Sequence, residues 1–203
     1  MIGVTERRST LVEEAVRAVG GTRRLLLGRP DALARFDFSQ RGLAGSFIPL
    51  VLAFVAFVAF MGLGSTPGQT LSAASQLFIC GALVSARFVA LRLVLPRLDA
   101  LHAFRPVLTA SNWSNAIALA AILLATLVVA FVGALFLGPD SGSTLVNIVL
   151  VIWAALALAT FTVEINILRL VAGLRGGEVV MVLAAQVFAL ILAIFILAQL
   201  PLR

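Results

Sequence analysis

Arg87 and Glu164 stand at the edges of otherwise apolar stretches, and no residues in this chain are better suited to chemistry. At about 1.5 Å of helix rise per residue, Arg87 lies some 24 Å along the stretch that begins at Leu71. Glu164 lies about 28 Å along the stretch that begins at Leu145. Both therefore fall near one boundary of a hydrocarbon core roughly 30 Å thick. An acid and a base at one level on neighbouring helices neutralise each other, which offsets much of the cost of charge in lipid. Polar residues gather at the same level: Asn112, Trp113, Ser114 and Asn115 before one apolar stretch, and Asn166 just after Glu164. One reading is a cytoplasm-facing polar pocket, with Arg87 binding an anionic group and Glu164 relaying a proton or holding Arg87. The other is a latch, in which the Arg–Glu pair fixes helix register, Trp113 anchors at the membrane interface and the Asn side chains cap helix ends.

The elements that must position these residues are five apolar runs, at about 47–63, 71–91, 116–137, 145–165 and 179–200. Each is continuously apolar rather than alternating, which predicts membrane helices and not the strands of an outer-membrane barrel. Arginine follows an in-out rhythm along them. Eight Arg precede the first run, and none lie between the first and second. Arg87, Arg92, Arg97 and Arg105 come at or after the end of the second, and none lie between the third and fourth. Arg169 and Arg175 separate the fourth from the fifth. Cytoplasmic loops carry the basic excess, so the expected fold is an all-α, polytopic bundle of five spans, N-terminus cytoplasmic and C-terminus periplasmic.

The composition excludes several function classes. Of 203 residues, 62% are hydrophobic and only 12% charged, against about 45–50% and about 25% in soluble chains. The net charge of +6 does not argue for nucleic acid, because the arginines flank apolar runs, where they set topology and meet anionic head groups. All fifteen basic residues are Arg, as a GC-rich bacterial genome would give. Cys80 and His102 are each the sole residue of their kind, which leaves no Cys/His metal set. No nucleophile–base pair or paired carboxylates occur, so neither catalysis nor a cofactor is expected. Gly173-Leu174-Arg175-Gly176-Gly177 lacks the preceding strand of a phosphate loop. Asn112-Trp113-Ser114 matches a glycosylation acceptor, but the topology puts it on the cytoplasmic side.

Residues 1–45 read as a cytoplasmic arm ahead of the five-span domain, 46–203. Arg7-Arg8 is followed by Glu13-Glu14 rather than an apolar stretch, which argues against a twin-arginine export signal. Thr10 and Glu13 have capping-box spacing and predict a short helix ending at Gly20-Gly21, with Leu11, Val12, Ala15, Val16 and Val19 on its apolar face. Pro30 opens a second short element, 31–38. Either lies in the membrane interface, or the arm is a loosely ordered tail held near the surface by charge. Ser46 is the expected N-cap of the first span, with Pro49 in its first turn. Small residues four apart (Gly81/Ser85, Ala82/Ala86, Ala121/Ala125, Ala130/Ala134, Ala185/Ala189) suit close helix packing in lipid.

Phe36-Asp37-Phe38-Ser39, then Ser46-Phe47, then Asn112-Trp113-Ser114-Asn115 resemble a group of uncharacterised alphaproteobacterial inner-membrane proteins, over about 35–200. The five-span layout is also similar to that of Yip1-type membrane proteins, in topology only; those act through partner proteins in membrane trafficking. Neither resemblance implies an activity or a catalytic residue. The expectation is a non-enzymatic inner-membrane protein working through lipids, a membrane-protein partner or a second copy of itself. The alternative is a small oligomeric transporter or transporter subunit using Arg87 and Glu164.

Overall fold

The computed structural model describes residues 10–63, 72–136 and 142–200. Arg7-Arg8, the connection at 64–70 and the turn at 138–140 lie outside them, as does the side chain of Ala134. The described residues form six α-helices: α1 (Leu11–Leu26), α2 (Gln40–Leu63), α3 (Ala73–Val94), α4 (Phe104–Phe136), α5 (Gly142–Leu170) and α6 (Gly176–Ala198). Short 3₁₀ turns occupy Pro30–Arg35, Leu95–Leu98 and Leu101–Ala103. No strand occurs among the described residues. Five of the helical stretches are long and apolar enough to cross a membrane: Gln40–Gly62, Ala73–Leu98, Leu101–Gly133, Gly142–Leu170 and Gly176–Ala198.

Local chemistry sets the helix ends. The expected capping box opens α1: Thr10 Oγ1 accepts from the Glu13 amide at 3.2 Å, and Glu13 Oε2 accepts from the Thr10 amide at 3.0 Å. The helix does not stop at Gly20-Gly21, as its sequence predicts, but runs to Leu26. Gly21 is used for packing, since a Cβ there would meet the Phe36 ring at 2.7 Å. The actual stop is Gly28, at φ +67°, with the Arg29 amide bonded back to the Arg24 carbonyl at 2.9 Å.

Ser46 is not the N-cap of the first span. That helix begins six residues earlier, at Gln40, behind an Asp37–Ser39 turn. Asp37 Oδ1 accepts from the Ser39 amide at 2.9 Å, and Ser39 Oγ accepts from the Gly42 amide at 3.1 Å. Pro49 consequently lies inside α2, where it withholds the donor that the Gly45 carbonyl would take. Ser72 caps α3, accepting from the Ser75 amide at 3.1 Å. Gly176-Gly177 opens α6 rather than breaking the loop before it, and the break falls at Gly173, at φ +68°.

Side-chain contacts fix the direction of each helix. Ser46, Arg87, Ser111, Asn112, Glu164 and Gln186 meet in one region. They lie in the first halves of α2, α4 and α6 and towards the ends of α3 and α5, so successive helices run in opposite directions. Towards the other end, Trp153 Nε1 of α5 donates to Thr126 Oγ1 of α4 at 3.0 Å, and its ring lies 6.2 Å from that of Phe57 in α2. Leu145 fills the space beside Gly133. The long α4 is central, packed against α2, α5 and α1, while α3 packs chiefly on α6.

The buried core is gathered at the end that carries α1. Leu25, Leu91, Leu95, Val107, Ile167, Leu168 and Val182 are fully buried there. Farther along, Leu52, Leu124, Phe131, Val151, Leu158, Phe188 and Phe195 are each more than half exposed. Soluble monomers rarely expose contiguous apolar patches beyond a few hundred Å². This surface is that of a protein solvated by lipid.

Candidate functional site in the bundle

Glu164 sits at the meeting point of four helices. It is buried, with 9% of its surface exposed. Arg87 of α3 forms an ion pair with its Oε2, without the alignment of a hydrogen bond. Ser111 Oγ of α4 donates to Oε2 at 3.0 Å, and Gln186 Nε2 of α6 donates to Oε1 at 3.4 Å. A carboxylate is acceptor-only, so one cation and two neutral donors match what it offers. This satisfies the condition under which charge persists in a low-dielectric interior. Gln186 lies about ten residues, roughly 15 Å, along α6 from Gly176. The carboxylate is thus tied to the body of α6, deeper than counting along α5 alone suggests.

Three of these side chains, Arg87, Glu164 and Gln186, border an open cavity of about 480 Å³ lined by α2, α3, α4, α5 and α6. Arg87, Asn115, Thr160, Glu164 and Gln186 form its polar part. Phe54, Leu119, Ile122, Phe161, Leu183 and Leu190 supply most of its apolar wall. Helical spacing explains the lining. Asn115, Ala118, Leu119 and Ile122 form one stripe of α4, and Leu183, Gln186, Val187 and Leu190 form one stripe of α6.

The remaining expected site residues do other work. Asn112 is buried and donates from Nδ2 to Ser46 Oγ at 3.0 Å, while Ser46 Oγ donates to the Leu43 carbonyl at 2.7 Å. Asn166 Nδ2 donates to the Leu25 carbonyl at 2.7 Å, closing the last turn of α1 against α5. Ser114 Oγ and Thr22 Oγ1 share a hydrogen bond of 3.2 Å. Trp113 is buried against the arm beside Arg17, Arg35 and Phe36, so it is not an anchor at a lipid interface. None of the Asn residues from 112 to 115 caps a helix end, because α4 starts at Phe104 and they lie inside it. From Thr10 onward the arm is correspondingly not a loose tail. It docks through Ala18, Gly21 and Leu25 and presents Val12, Val16 and Val19 outward.

Sequence reasoning missed Ser111 and undervalued Gln186. The signal for Gln186 was its register, since Val179, Val182 and Gln186 recur at helical spacing and are the buried face of α6. Ser111 carried no comparable signal, because its role depends on where α5 lies.

No protein family, curated protein or solved structure matches this chain. The cavity and its charges must therefore be read from their own chemistry. Among the described residues no group of His, Cys, Asp and Glu side chains is placed to hold a metal ion. The arrangement offers one paired anion, one paired cation, amide and hydroxyl groups, and a long apolar wall.

Proposed function

We propose that this chain is a non-enzymatic integral protein of a bacterial inner membrane that takes an amphipathic, lipid-like molecule between α2, α3, α4, α5 and α6. The observation that carries this reading is the composition of the cavity, an apolar wall with Asn115, Thr160 and Gln186 beside the Arg87–Glu164 pair. Cavities of roughly 300–1,000 Å³ with few polar groups on apolar walls are typical of small-molecule sites. An N-terminus in the cytoplasm is supported by the arginines, which cluster at the α1 end of the bundle. A membrane-protein partner, or a second copy of the chain, would sit against the exposed apolar helix faces.

Native mass spectrometry after purification from bacterial membranes in mild detergent tests this reading. One lipid species should be retained near stoichiometry and lost from Ala157→Phe, which fills the cavity from α5. Equal retention by the variant, or no retained molecule at all, overturns it. A second reading, transport, is favoured by one observation: both members of the ion pair line the cavity. On that reading Glu164→Gln abolishes flux in proteoliposomes while leaving assembly intact.

A further inference from the structure

A second depression, of about 550 Å³, lies where α3 hands over to α4, and it shares no lining residue with the cavity just described. The two 3₁₀ turns after α3 fold the chain back, so that Arg92 lines the same depression as Leu101, His102, Phe104 and Arg105. Phe38 and Leu43, from either side of the start of α2, close the remaining wall. We propose that Arg92, His102 and Arg105 form a phosphate-binding site, independent of whatever occupies the bundle cavity.

Three observations support this. The first is charge. No acidic side chain among the described residues lines the depression, and the ion pairs between described residues, Arg24 with Asp31 and Arg87 with Glu164, do not involve Arg92 or Arg105. The second is orientation. The Arg92 Cζ lies over the Phe104 ring, 5.6 Å from its centre, a cation–π contact that holds the guanidinium at the depression. Guanidinium edges match the geometry of phosphate oxygens, and the exposed His102 ring adds a third nitrogen donor. The third is the remaining wall: Phe38, Leu43, Leu101 and Phe104 are apolar. A bare phosphate would use only half of this surface. A phosphate carrying a glycerol and acyl chains would use all of it, and basic pockets between membrane helices suit such head groups.

The test uses the full chain in dodecyl maltoside micelles, titrated with dioctanoyl phosphatidylglycerol and, separately, with glycerol phosphate, read by thermal shift and native mass spectrometry. The lipid should bind saturably. Arg92→Gln and Arg105→Gln should each weaken it about fivefold, and the double variant roughly 25-fold. Because both arginines are exposed, the single variants should elute as the parent does, and Arg105→Gln leaves the Phe104 contact untouched. Failure of glycerol phosphate to displace the lipid assigns the site to a membrane head group. Displacement at similar concentration assigns it to a soluble phosphate ester. Absence of saturable binding by either probe, or undiminished binding by both single variants, overturns the proposal.

Discussion

Glu164 shows how one side chain couples several helices. Removing Arg87 leaves a buried carboxylate with only neutral donors, and removing Glu164 strands a guanidinium. Arg87→Ala and Glu164→Ala should each destabilise the bundle by about 3 kcal/mol, measured by thermal or denaturant unfolding in detergent. The charge swap should restore part of the loss but not all, because Gln186 and Ser111 are arranged as donors to a carboxylate at 164. Additive losses in the double-mutant cycle would dismiss the pair. Asp37 supports a pH prediction outside the spans. The Ser39 backbone amide, then the Ser39 side chain, hold its carboxyl below the ordinary value of 3.8, helped by Arg17 and Arg41. A depressed carboxyl stabilises the fold above its unfolded value and loses that contribution as pH falls through the folded one. Proteolysis at the arm should therefore accelerate below about pH 4, and Asp37→Asn should remove that part of the pH dependence. The pairing of Arg87 with Glu164 was legible in the sequence, because their counted depths agree. The separate tasks of Asn112, Trp113 and Asn166 were not, since each depends on where α1 and α2 come to rest.

At the scale of elements, helix existence was legible and helix ends were less so. Apolar runs report where a helix surface is exposed, whereas α4 and α5 continue beyond their runs, from Phe104 and to Leu170, into the packed end of the molecule. Glycine shows the same division. Gly42 and Gly81 look alike in sequence, yet a Cβ at Gly42 would overlap the Asp37 carbonyl, and one at Gly81 meets nothing within 4 Å. Gly42→Ala should cost about 1–3 kcal/mol by shifting the start of α2. Gly81→Ala should be neutral or stabilising by up to about 1 kcal/mol, so unfolding midpoints of the two variants should move apart. Gly81 thus makes no close helix contact among the described residues, whereas Gly133 against Leu145 does. Asn166→Ala should loosen the end of α1 by about 1 kcal/mol, seen as faster hydrogen exchange around Leu25 without loss of total helicity.

For the whole molecule, the alternation of arginine-rich and arginine-free connections already implied successive reversals of direction, and the contacts follow them. The docking of the arm was hidden, because its buried face, Ala18, Gly21 and Leu25, is too small and too sparse to read as a core stripe. That docking makes the molecule unequal in girth. Six helices share the end that carries α1, five continue beyond it, and Val12, Val16 and Val19 face outward from the added one. Set in a bilayer with α1 at the level of one leaflet, such a shape would be a wedge, demanding more area from that leaflet than from the other. With its broad end set in one leaflet, it would fit best where that leaflet is stretched, that is, in a curved membrane.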